Sequence, residues 1–123
     1  MPHILLIDDD DLFRGMIRAT LQERGHTVTE ARNGKEGLAL HDLVPADLVL
    51  TDLIMPEKEG IETIVELRKK NSGVKVIAMS GGGRVSATDY LKIARQVGAQ
   101  QVLTKPFSSD ELELAIGHLL NGG

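Results

Sequence analysis

The sequence has no cysteine, which excludes disulfides, thiol catalysis and cysteine-based zinc sites. Phenyl, phenol and indole side chains are almost missing: Phe13, Tyr90 and Phe107 are the only ones. Basic runs are missing too, and the formal net charge is −4. Neutralising nucleic-acid phosphates needs clustered Lys and Arg, so direct binding to DNA or RNA is not expected. The opening "MPHILLIDDD" has too short an apolar stretch for a signal peptide and runs into acids where a cleavage site belongs. No run approaches transmembrane length, so no membrane insertion is expected and a cytoplasmic home is the default.

What is present suffices for one ordinary domain: 123 residues, 41% of them hydrophobic, fit a single folding unit over 1–123. There is no linker, low-complexity tract or internal repeat. Five apolar runs have strand length: "HILLI" (3–7), "TVTEA" (27–31), "DLVLT" (47–51), "KVIAM" (75–79) and "QVLT" (101–104). Three are nearly uniform, as in strands buried on both faces. Between them the spacing is helical. Leu112, Ala115, Ile116, Leu119 and Leu120 form one stripe, Phe13, Met16, Ile17 and Leu21 another, and Ile61, Ile64, Val65 and Leu67 a third. Ser108 with Glu111 and Asn33 with Glu36 resemble capping boxes, and Gly25, Gly73 and Gly98 stand where helices end. Strands alternating with helices predict right-handed crossovers onto a parallel sheet, an α/β doubly wound fold of five βα units.

In such sheets polar sites form at the carboxyl ends of the strands. The residues there are Asp8 and Asp9 after the first strand, Asp52 after the third, Ser80 after the fourth and Lys105 after the fifth. Three carboxylates in one cleft favour a hard divalent cation such as Mg²⁺. That accounts for the four consecutive acids 8–11: Asp8 and Asp9 hold the ion, while Asp10 and Asp11 face outward at the first turn of a helix, where negative charge suits the dipole. A plainer reading makes "DDDD" a solvated helix cap. The set suits phosphoryl transfer, which depends on positioning and charge neutralisation, and a carboxylate can be the nucleophile. Asp52, alone between "LVLT" and "LIMP", is the best candidate; otherwise it is a turn residue near Pro56 and Gly60. Lys105 precedes Pro106, which fixes the chain behind it, and a cis bond is possible there.

The pieces "LLIDD", "DLVLTDLIMPEKEG", "VIAMSG" and "VLTKPF" occur in order with matching spacing, and over nearly its whole length the chain resembles the receiver domain of two-component response regulators. The resemblance implies a flavodoxin-like (βα)5 fold with strand order 2-1-3-4-5. It also implies a phosphoacceptor at Asp52, fed by a sensor histidine kinase or histidine phosphotransfer protein with Mg²⁺ as cofactor. Asp9, Asp52 and the backbone carbonyl of Ile54 would ligate the ion, with Asp8 acting through water. Ser80 would bond the phosphoryl oxygen and Lys105 would pair with it. Such a domain is not an enzyme beyond its own phosphorylation and dephosphorylation. Its output passes to a partner through the fourth helix, fifth strand and fifth helix.

The sequence departs from the family in one respect: Val102 stands where many receivers carry an aromatic three positions before the lysine. Ordering of the glycine-rich loop Gly81–Gly83 is expected to carry the signal in its place. Ile54 and Gly82, two positions after Asp52 and Ser80, have no side chain able to orient a water, which predicts a long-lived phosphoaspartate. Two alternatives stand beside this reading. One is a constitutive docking receiver that is never phosphorylated. The other is a haloacid-dehalogenase-like phosphatase with Asp8 as nucleophile, against which Leu12 and the absence of a cap domain both argue. "GGGR" lacks the Lys-Ser/Thr of a phosphate loop. His3, His26, His41 and His118 have no metal-ligand spacing and are expected at the surface or at strand ends, and "RKKNSG" (68–73) reads as a solvated helix end.

Overall fold

The computed structural model describes residues 2–53, 59–71, 73–80 and 87–120, with backbone alone at 59 and 87–91. In chain order the elements are β1 (His3–Ile7), α1 (Asp11–Glu23), β2 (Thr27–Ala31), α2 (Gly34–Leu43), β3 (Leu48–Asp52), α3 (Glu59–Lys70), β4 (Lys75–Ser80), α4 (Ala87–Val97), β5 (Gln101–Thr104) and α5 (Ser109–Leu120). The strands form one parallel sheet in the order β2-β1-β3-β4-β5.

The alternation of side chains along each strand divides the core into two layers. Leu5, Ile7, Val49, Val76 and Ala78 pack with Ile64 and Leu67 of α3 and Ala94 of α4. Ile4, Leu6, Leu48, Leu50, Ile77 and Met79 pack with Ile17 and Leu21 of α1 and with Leu112, Ala115 and Ile116 of α5. β1, β3 and β4 are buried on both faces, as their uniform sequences require. The outer strands β2 and β5 are only partly covered. Each buried Leu or Ile contributes about 1.5 to 3 kcal/mol relative to exposure.

Local signals start and stop the helices. Asp10 caps α1 by accepting from the Phe13 N–H at 3.1 Å. Ser108 and Glu111 form a reciprocal box at 3.0 Å each way. Asn33 accepts from the Glu36 N–H at 2.8 Å, and the Glu36 carboxylate reaches back to the N–H of Arg32 at 3.0 Å. Gly25 and Gly98 follow α1 and α4 with φ of 92° and 127°, a region where a Cβ is strained.

Several expectations are corrected. β3 begins and ends one residue later than the apolar run suggested, so Asp52 closes the strand. Met16 is exposed, because it lies at the edge of the α1 stripe that Ile17 and Leu21 bury. His41 is buried, and its Nδ1 accepts the Ala46 N–H at 3.1 Å. Burial holds its imidazole below the ordinary range, more strongly than the neighbouring Asp42 raises it. Arg68 is not simply solvated, since it donates to the Val74 carbonyl at 2.7 Å.

Candidate functional site

The sheet register does the gathering. Ile7 pairs with Thr51, so Asp8 and Asp52 are the next residues on adjacent strand ends. Asp52 pairs with Met79, with Ser80 one step beyond. Ser80 in turn pairs with Thr104, with Lys105 one step beyond. All of the candidate residues the structure describes, Asp8, Asp9, Asp52, Ser80 and Lys105, therefore stand at one carboxyl edge.

The distances there are short. Lys105 Nζ lies 2.9 Å from Asp8 Oδ2 and 3.7 Å from Asp52 Oδ2. Carboxylate oxygens of Asp8, Asp9 and Asp52 all lie within 4.8 Å of one another. Asp8 and Ser80 are fully buried, Asp52 nearly so, and Asp9 faces solvent. Alternation places Asp8 after Ile4 and Leu6, Asp52 after Leu48 and Leu50, and Lys105 after Leu103, all in the α1/α5 layer. Ser80 follows Val76 and Ala78 of the opposite layer.

The surrounding backbone is held firmly. The Asp8 N–H donates to the Ala31 carbonyl at 3.1 Å, the Leu53 N–H to Met79 at 2.8 Å and the Lys105 N–H to Ser80 at 2.8 Å. Asp8 Oδ1 accepts the Asp10 N–H at 2.9 Å. The Lys105–Pro106 bond is cis. Gly60 lets α3 approach the end of β3, because a Cβ there would lie 2.5 Å from both the Asp52 carbonyl oxygen and Leu53 Cα.

Two contributors escaped the sequence reading. Arg14 donates to the Asp8 carbonyl at 2.7 Å, to Glu30 of β2 at 3.0 Å and to Asp11 at 2.7 Å. Burial opposes its charge, but the hydrogen bonds and charges of Asp11 and Glu30 prevail and hold its guanidinium above the ordinary value. Phe13, read only as a core residue, lies with its ring centroid 3.9 Å from Lys105 Nζ. The scarcity of rings was a usable signal, since both phenylalanines fall close in sequence to a candidate charged residue.

The donor set fits a hard divalent cation. It consists of oxygen alone, and ligands on opposite sides of Mg²⁺ stand roughly 4 Å apart, compatible with the spread of the three carboxylates. Ile54, Gly82 and the Gly81–Gly83 loop lie outside the described residues, as does the Tyr90 side chain. His26 pairs with Glu113 at 2.8 Å and His3 with Thr29 at 2.7 Å. His118 is exposed. Among the described residues no helix is long and apolar enough to cross a membrane.

Known proteins resemble the chain in sequence and in fold. The family described as response regulator receiver domain matches residues 4–117. The chemotaxis protein CheY of Halobacterium salinarum is 32% identical over 117 residues, which cover 95% of this chain and 95% of that protein. The transcriptional regulatory protein GlrR of Escherichia coli is 36% identical over 118 residues, 96% of this chain but 26% of GlrR. A solved receiver domain protein from Clostridium thermocellum superposes with a TM-score of 0.90 at 30% identity, covering 99% of this chain and 96% of that one.

Proposed function

The chain belongs to the response regulator receiver domain family, and from that premise we propose that Asp52 is its phosphoacceptor, served by Asp8, Asp9, Ser80 and Lys105. The donor is a phosphohistidine on a sensor histidine kinase or histidine phosphotransfer protein. An Asp52 carboxylate oxygen forms a bond to phosphorus as the phosphorus–nitrogen bond breaks. The electron pair returns to the imidazole, which leaves neutral because its other nitrogen carries a proton. Mg²⁺ would be held by Asp9 and Asp52 with the carbonyl of Ile54, and by Asp8 through water; when bound, it would supply neutralisation between the carboxylates and the incoming oxygens.

The observation that carries the reading is the Lys105 ammonium, 2.9 Å from Asp8 and 3.7 Å from Asp52. It stands ready to move from a carboxylate to a phosphoryl oxygen without crossing the cleft. The phosphatase alternative is disfavoured by Asp8, which is fully buried with both oxygens engaged, Oδ1 by the Asp10 N–H and Oδ2 by Lys105. The domain processes no substrate beyond its own phosphorylation and dephosphorylation. Its setting is the cytoplasm, where such donors reside.

Output follows from the two-layer core. Phosphorylation adds about 1.5 to 2 negative charges on the α1/α5 side of the sheet. Ser80 belongs to the layer under α3 and α4, so drawing its hydroxyl toward the phosphoryl group pulls the end of β4 and shifts the surface of α4, β5 and α5. The shift is driven only by the difference in interaction between the two states. Acetyl phosphate with Mg²⁺ tests the acceptor: the intact protein gains one phosphoryl mass and the Asp52→Asn variant gains none. A wild-type chain that stays unmodified under these conditions would favour the constitutive docking receiver.

A further inference from the structure

We propose that Phe13 is a positioning residue for the phosphorylation of Asp52, its ring face seating the Lys105 ammonium that the transferred group meets. The inference rests on the phosphoacceptor reading above.

Lysine carries a compact charge on a flexible four-carbon stem, so its position must be imposed from outside. Here Asp8 Oδ2 lies 2.9 Å from Nζ, Asp52 Oδ2 lies 3.7 Å away, and the Phe13 centroid lies 3.9 Å away. A cation at that distance is attracted by the negative face of the ring. The ring is itself held in place. Phe13 is in the first turn of α1, its N–H fixed at 3.1 Å on the cap Asp10. Phe107 meets it nearly perpendicular, at 87° with centroids 5.9 Å apart, a preferred aromatic geometry. Both rings pack on the α1/α5 layer, the layer to which Asp8, Asp52 and Lys105 belong by strand alternation. A chain with only two phenylalanines thus places one against Lys105 and the other edge-on against that ring.

A ring is a different support from a third carboxylate. Its attraction is broad in direction, so Nζ can turn from Asp8 toward an oxygen arriving on Asp52 while remaining over the face. A carboxylate in the same position would compete with that oxygen for the ammonium. Val102, without a ring and packed against the opposite layer, does not take this part.

The test combines kinetics with a spectroscopic signature. In protein labelled with 13C-lysine, the Lys105 Cε protons are expected upfield of the other lysines because of the Phe13 ring current. Phe13→Leu abolishes that displacement and Phe13→Tyr keeps it. Phe13→Leu slows the maximal rate of phosphorylation by acetyl phosphate about five-fold, Phe13→Tyr restores it, and in a Lys105→Ala background Phe13→Leu slows it no further. Three outcomes each overturn the proposal: an undisplaced Lys105 signal in the wild type, an unchanged rate in Phe13→Leu, or equal slowing with and without Lys105. Asp52→Asn is run in parallel. If that variant still accepts phosphate, the acceptor reading fails, while the Lys105 chemical shift still decides whether Phe13 seats the ammonium.

Discussion

Asp9 is the solvent-facing member of the three-acid cluster, so its charge can be removed without stranding a buried group. Asp9→Asn relieves repulsion on Asp8 and Asp52 and is expected to raise stability by about 1 kcal/mol in Mg²⁺-free buffer, read by urea denaturation in EDTA. The same variant is expected to lose most of the stabilisation that added Mg²⁺ gives the wild type. A second prediction at this scale concerns hydrolysis. Ile54 and Gly82 offer no side chain to orient a water, so the phosphoaspartate is expected to persist for many minutes once the donor is removed, followed by intact mass; a lifetime of seconds would contradict it. The charged site residues were legible because each ends or follows an apolar strand, and the rule that such ends converge needs no coordinates. The role of Arg14 was hidden because it depends on which side of the sheet α1 covers, and that of Phe13 was signalled only by the scarcity of such rings. Of the three partners of the Arg14 guanidinium, only Asp11, three residues back on the same helix, is visible in local sequence; the bonds to the Asp8 carbonyl and to Glu30 are not.

At the scale of elements, the approach of α3 to the end of β3 depends on Gly60. Its missing Cβ would stand 2.5 Å from the Asp52 carbonyl oxygen and Leu53 Cα, backbone atoms that cannot swing aside. Gly60→Ala is expected to cost about 1 to 3 kcal/mol, measured by chemical denaturation, and to slow phosphorylation as well, because relief of the clash displaces Asp52. A loss of stability with an unchanged rate would show that the acceptor position is independent of α3. Element identities were readable from periodicity and caps: the Ser108 and Glu111 box stands at the start of α5 as its spacing foretold. Boundaries were less readable. Asp52 belongs to β3 because its pairing with Met79 is a tertiary fact, which overrides a polar residue's low strand preference.

For the whole molecule, the fold keeps several charges close together and one histidine away from water. His41 is buried with Nδ1 accepting a backbone N–H, so its neutral form is the one that fits, and burial lowers it from the ordinary value of 6.5. Below that value the unfolded chain takes up a proton the folded chain resists. Stability is therefore expected to be retained above it and to decline as pH falls through and beyond it, with a smaller decline in His41→Gln. Equal pH dependence in both would contradict the assignment. Mg²⁺ acts in the opposite sense, and at a hundred times its dissociation constant it is expected to stabilise the fold by about 2.7 kcal/mol. The strand order followed from the family resemblance, whereas the burial of His41 was invisible because helical periodicity does not tell which polar residue a loop will cover. The central claim is that the acids, hydroxyl and ammonium at one sheet edge make Asp52 the acceptor. Borohydride reduction of the acetyl phosphate-treated chain, followed by peptide mapping, tests it most directly, since an aspartyl phosphate is reduced to homoserine where it formed. Homoserine is expected at position 52 alone; homoserine at position 8 with Asp52 intact would contradict the assignment.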